Sequence, residues 1–162
     1  MAKSTNINNR RYLGNKYKLL SFIKNIVASE CTDIETVVDI FSGTGAVASA
    51  FQDKQIITND IMYSNYICNY AWFSSKRYSK KKLVRIIDDY NSMNITEENY
   101  MTDNFSDTYF SHDDCAKIGF IREDIERKYL AKEINERERA ILITSLLYAM
   151  DKIAKTCGHY DA

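Results

Sequence analysis

Thr36-Val37-Val38-Asp39-Ile40-Phe41-Ser42-Gly43-Thr44-Gly45, answered by Gln55-Ile56-Ile57-Thr58-Asn59-Asp60, is the stretch whose reading decides the fold. The first run is β-branched, too short for a helix and stopped by Ser42-Gly43, so it predicts a buried strand over 36–41. Helix formers occupy 46–51, and 55–58 reads as a second strand. Strand, glycine turn, helix and strand within about 25 residues make a βαβ unit, which implies parallel pairing.

Outward from this unit the pattern is helical. Leu19, Leu20, Ile23, Ile26 and Val27 recur at helical spacing, predicting an amphipathic helix over 17–29. From Asn65 onward Tyr66, Ile67, Tyr70, Ala71 and Phe73 predict another, and Leu83, Ile86, Ile87 and Tyr90 a third over 80–90. The Asn-, Thr-, Asp- and Ser-rich stretch 91–111 reads as loop. Ser111 with Asp114 resembles a capping box opening a helix to about Leu130, with Ile118, Ile121, Ile125 and Tyr129 inward. Asn135 caps a last helix carrying Ile141, Leu142, Leu146, Met150 and Ile153, which Gly158 is placed to end. The expected fold is therefore α/β, a short parallel sheet with a predominantly helical remainder.

Bulk composition excludes more than it suggests. Twenty-two basic and 22 acidic residues cancel, so any nucleic-acid surface must be local. Four cysteines without a Cys-x-x-Cys pair and two histidines assemble no zinc spacing, and no metal is expected. The polar, basic start is not a signal peptide, and no run approaches the roughly 20 apolar residues of a membrane span. A cytoplasmic chain is the expectation. There is no proline anywhere, against an average usage of about 5%.

The chemistry sits at the glycine turn. Gly43 and Gly45 let backbone bend tightly and close on a ligand. Asp60, 21 residues after Asp39, falls at the carboxyl end of the neighbouring strand, where a carboxylate can accept both hydroxyls of a ribose. Two ligands fit this pattern. Gly43-x-Gly45-x-x-Ala48 satisfies the dinucleotide fingerprint of an NAD-binding oxidoreductase. Against NAD stand the 35 residues ahead of the strand, where a dinucleotide domain usually opens with it, and Asp39, a carboxylate in an apolar strand. A cationic sulfonium ligand gives Asp39 a reason that NAD does not. A turn that only packs a helix onto a strand is the third reading.

Upstream lies Arg10-Arg11-Tyr12-Leu13-Gly14-Asn15-Lys16-Tyr17-Lys18. Tyr-x-Gly-x-Lys, then a strand ending in Phe-x-Gly-x-Gly, then Asn-Asp resembles the Dam-like (D12 class) adenine-N6 DNA methyltransferases. The resemblance covers residues 10–70 and resumes at Lys155-Thr156-Cys157-Gly158-His159-Tyr160-Asp161. It implies a partial Rossmann-like methyltransferase fold and S-adenosylmethionine as cofactor. By that resemblance Tyr12 and Lys16 meet its methionine end, and Phe41, Ser42, Gly43 and Gly45 form the floor. Asp39 sits near the amino acid moiety and Asp60 holds the ribose. It also implies double-stranded DNA with an adenine target, within a restriction–modification system.

The family's D/N-P-P-Y motif, which orients the flipped adenine, cannot occur in a sequence without proline. The expectation is a chain inactive alone, with no catalytic residue of its own, that is a fragment, a split-enzyme half or a truncated product. A half sheet leaves an open edge and bare apolar faces, so a complementary chain or a homodimer is expected. A binding or assembly chain whose catalysis resides in a partner is the alternative of a different class. Residues 1–75 would form the cofactor-binding part, 76–135 a helical insertion with a DNA-recognition role, and 136–162 a helix leading toward the catalytic half. The run Lys76-Arg77-Tyr78-Ser79-Lys80-Lys81-Lys82 is either a phosphate contact or a solvated junction between helices. Tyr100, Phe105, Tyr109 and Phe110 either serve target recognition or fill core, and His159 is either near the active site or structural.

Overall fold

The computed structural model of the chain describes Ile7 and residues 16–155, so Tyr12, Gly158 and His159 lie outside the described residues. The chain divides into two compact units between Ser74 and Ser75. In the first, a 3-10 turn at Tyr17–Leu19 leads into helix α1 (Leu20–Glu30), strand β1 (Thr36–Asp39), helix α2 (Ala46–Ser49), strand β2 (Gln55–Thr58) and helix α3 (Tyr63–Phe73). The strands pair in parallel with Thr36 opposite Gln55 and Asp39 opposite Thr58. This is the βαβ unit the sequence predicts.

Its details differ for local reasons. The helix expected from residue 17 opens as 3-10 because no side chain caps it and the Leu19 amide donates three residues back, to Lys16 O, at 2.8 Å. Helix α2 is a single turn: Ala50 and Phe51 donate to Val47 O and Ala48 O, tightening it to a close. The expectation of a fully buried β1 needs correction. Exposure alternates along both strands, with Val37, Asp39, Ile56 and Thr58 half-buried and Val38 and Ile57 exposed. Helix α2 packs on both strands and α3 on β2, which covers one face. Val38 and Ile40, each 55% exposed, leave the other face apolar and bare.

The second unit holds helices α4 (Lys80–Ser92), α5 (Tyr100–Phe105), α6 (His112–Leu130) and α7 (Glu136–Ile153). Every one is capped by a side chain that accepts a first-turn amide: Ser79, Asn99, Ser111 and Asn135. Helix α5 lies in the stretch expected to be loop. Two polar contacts hold it there: a reciprocal Asn99–Thr102 cap, and the Asn99 side-chain Nδ2 donating to Ala116 O at 2.9 Å above Gly119. A Cβ on Gly119 would stand 1.9 Å from Asn99 Oδ1, so glycine makes room for the dock. The aromatics of that stretch mostly fill core, Phe110 being buried with Cys115 and Ile118 while Phe105 and Tyr109 pack around them. Helix α7 ends at Ile153 rather than at Gly158, because the Lys155 amide leaves the helical ladder for Tyr109 O at 2.9 Å. Among the described residues no helix is long and apolar enough to cross a membrane, and no three His, Cys, Asp or Glu side chains converge to hold a metal ion.

Glu138 ties α4 to α7. It is 2% exposed, and it accepts from Lys82 Nζ at 2.6 Å and from the amides of Ser79 and Asn135 at 2.9 Å each. Burial alone would raise its pKa, but Lys82 and the two amides outweigh that and lower it below 4.5. Its stabilisation is therefore complete above the ordinary glutamate value and fades as pH falls through the lowered folded value. Glu138→Leu is expected to destabilise the chain by about 2–3 kcal/mol, less than a fully buried pair because Lys82 stays partly in water. Denaturant titration near neutral pH and near pH 3 checks this. A loss as large in acid as at neutrality would contradict it.

Candidate functional site

Parallel pairing brings the carboxyl ends of β1 and β2 side by side, and hydrogen bonds stitch the turn after β1 to the residues after β2. The Asn59 amide donates to Asp39 O at 2.8 Å and its side chain to Ile40 O at 3.0 Å. In return the Ser42 amide and hydroxyl both donate to Asn59 O at 3.0 Å. The Gly45 amide closes the turn on Ser42 O at 2.8 Å. Gly43 and Gly45 have φ of 50° and 80°, the left-handed region where a side chain is strained.

At the centre the Gly43 amide donates to Asp60 Oδ2 at 2.8 Å. The other oxygen of Asp60 accepts from the Met62 amide at 2.9 Å and from the Asn65 side chain at 3.0 Å. One carboxylate thus fixes the glycine turn and the first turn of α3. Partial burial would raise its pKa, but the bonds from Met62, Asn65 and Gly43 prevail and hold it below 3.8. Asp39 behaves oppositely. Burial, only partly offset by the amides of Ala48 and Phe41, raises its pKa above 3.8, and the nearby Asp60 charge adds to the rise. Its Oδ2 is buried without a hydrogen-bond partner. A half-buried carboxyl with an unmatched oxygen, beside a turn that has already claimed the neighbouring carboxylate, is suited to a cationic group.

Five of the residues marked in the sequence, Asp39, Ser42, Gly43, Gly45 and Asp60, converge on this turn. Phe41 adjoins them, 86% exposed. Lys16 is exposed ahead of the 3-10 turn. Ser42 is buried, with its hydroxyl engaged by Asn59 and Asn69, so it faces protein. Gly45 answers to packing: a Cβ there would stand 2.5 Å from Asn69 Oδ1 and 3.1 Å from the Phe73 ring. Sequence reasoning gives Asn59 a place in the Asn-Asp motif but no bonding role, and it misses Asn65 and Asn69 as site residues. The available signal was two asparagines four apart in an otherwise aromatic helix, poor helix formers kept where burial demands partners. In the second unit, Lys76 and Lys82 of the basic run are ion-paired to Glu136 and Glu138, whereas Lys80 and Lys81 make no ion pair among the described residues.

Comparison with known proteins supplies the context. A family described as D12 class N6 adenine-specific DNA methyltransferase matches residues 12–162. Modification methylase LlaI of Lactococcus lactis subsp. lactis is 31% identical over 94% of this chain and 26% of its own length. Type II methyltransferase M.FokI of Planomicrobium okeanokoites is 30% identical over 94% and 26% respectively. Type II methyltransferase M.NlaIII of Neisseria lactamica is 29% identical over 93% and 48%. The chain thus spans between a quarter and a half of these relatives. No solved structure matches it.

Gly45→Ala tests the turn's packing. Left-handed strain costs roughly 1–2 kcal/mol, and overlap with Asn69 and Phe73 adds to it. Calorimetric unfolding should show a loss of at least about 1–2 kcal/mol. An unchanged melting temperature would mean that the turn is looser than described.

Proposed function

The chain belongs to the D12 class N6 adenine-specific DNA methyltransferase family, and from that premise we propose that it binds S-adenosylmethionine at the turn after β1. In this reading it is the cofactor-holding part of a cytoplasmic adenine-N6 DNA methyltransferase of a restriction–modification system, and its βαβ unit is one portion of a Rossmann-like sheet. The observation that carries the reading is the pairing of two carboxylates at one turn: Asp60 bound to the Gly43 amide, and Asp39 keeping a buried, unmatched oxygen.

The residues fit the group. Asp39 takes the positive end, Asp60 keeps about one acceptor site for a ribose hydroxyl beyond its three protein bonds, and exposed Phe41 offers an apolar ring. Lys16 and Tyr12 take the methionine end. The cofactor supplies an electrophilic methyl group when bound. This chain's share is to hold and orient it.

Orienting the adenine amino group falls to another polypeptide segment. The sequence contains no proline, hence no D/N-P-P-Y motif, and without one the amino nitrogen is not aligned with the methyl group. The bare face of Val38, Ile40 and Ile57 is the natural seat for the segment that carries it, in a complementary chain; a second copy could cover that face but, having no proline, could not supply the motif. Double-stranded DNA is the substrate of that assembly, with Lys80 and Lys81 as the phosphate contacts of the second unit. Purified alone, the chain should not methylate adenine-containing DNA; measurable transfer by it would refute this division of labour.

Isothermal titration with S-adenosylmethionine and with NAD tests the cofactor. Because a cationic ligand favours the charged form of Asp39, whose pKa is raised, affinity should weaken as pH falls through that raised value, with proton release on binding. Asp39→Asn should weaken binding about tenfold, roughly 1.4 kcal/mol, and erase this pH dependence. NAD binding without S-adenosylmethionine binding would overturn the reading.

A further inference from the structure

We propose that Asn69 is the positioning residue that sets the glycine turn in its cofactor-binding form, a role that rests on the cofactor reading above. Asn69 lies in α3 and is 1% exposed. Its Nδ2 reaches three oxygens: Ser42 Oγ at 3.0 Å, Gly43 O at 3.1 Å and Asn65 O, one helical turn back, at 2.9 Å. Two of those acceptors are carbonyls. The third, the Ser42 hydroxyl, spends its proton on Asn59 O. An oxygen placed in that position would face acceptors only, so chemistry fixes which end of the amide points there. The other end, Oδ1, has no hydrogen-bond partner and would stand 2.5 Å from a Cβ placed on residue 45. It therefore fills the space that a side chain at position 45 would need, which only glycine leaves open.

One buried amide in this way touches Ser42, Gly43 and Gly45 together. The Gly43 residue is gripped from both sides, its N–H by Asp60 and its C=O by Asn69. That pair of bonds sets the rotation of the peptides flanking Gly43, and so which face of the turn is presented to a ligand. No other side chain does the same. Aspartate offers acceptors alone at neutral pH, leucine leaves Gly43 O and Ser42 Oγ unmet, and glutamine adds a methylene to a filled space. Asn69 need not touch the cofactor to control its binding.

The test compares the unsubstituted 162-residue chain with Asn69→Leu, and with the smaller, donor-retaining Asn69→Ser in case the first does not fold. Three quantities are read: hydrogen exchange at the Gly43 and Gly45 amides without ligand, titration with S-adenosylmethionine, and melting temperature. Asn69→Leu should exchange the Gly43 amide at least about tenfold faster and bind at least about tenfold more weakly at temperatures where it is fully folded, with Asn69→Ser between the two. A folded variant with a lower melting temperature but unchanged exchange and affinity would make Asn69 a packing residue and overturn the proposal, leaving the cofactor reading intact. An unsubstituted chain that binds no S-adenosylmethionine would overturn the cofactor reading and this role with it.

Discussion

A backbone amide in the left-handed region, at Gly43, is held by a carboxylate on the adjacent strand's end, at Asp60, and the first unit is organised around that bond. It can form only because β1 and β2 run parallel and in register, so that the turn after one meets the residues after the other. It can persist only because glycine tolerates the required backbone angle. The same carboxylate receives the Met62 amide and the Asn65 side chain, so the start of α3 and the shape of the turn share one anchor. From α3 Asn65 returns to Asp60 and Asn69 to the turn, closing a loop of polar contacts in which each element holds the next.

The two units handle buried acid groups differently, and the difference separates structure from function. Glu138 in the second unit is matched on every side by a lysine and two amides, which lowers its pKa and leaves nothing over for a ligand. Asp39 in the first unit keeps an unmatched oxygen and a raised pKa. A group left in that condition within a folded domain is costly unless something else meets it. The unmatched oxygen of Asp39 is why the proposed cofactor site is placed at this turn. The bare apolar face of β1 and β2 makes the same point for macromolecules, since a sheet covered on one side only has surface to spare for another segment.

Much of this was legible in the sequence. Short β-branched runs around a glycine turn specified the βαβ unit, and Ser111 and Asn135 announced their helices because capping chemistry is local. The convergence of Asp39, Gly43 and Asp60 followed from parallel topology. What escaped was long-range. Helix α5 is too short for its one apolar pair, Met101 and Phe105, to stand out as a period, and it is held as well by Asn99 docking over Gly119, seventeen and more residues away. The half-bare β1 reads as buried because β-branched composition reports propensity and not which face is covered. The close approach of Asn69 to Gly45 is not legible either, since that neighbour belongs to a helix whose own pattern gives no reason to look back at the turn.

The bond between Gly43 and Asp60 is open to direct observation. In a ¹⁵N-labelled sample the Gly43 amide proton should resonate downfield, and on acidification it should move with the titration of Asp60, with a midpoint below 3.8, the ordinary value for that carboxyl. Asp60→Asn should abolish the movement. A Gly43 amide that is indifferent to acid, or one that titrates at or above the ordinary value, would mean that the turn is not anchored as described, and the cofactor site built on it would not stand.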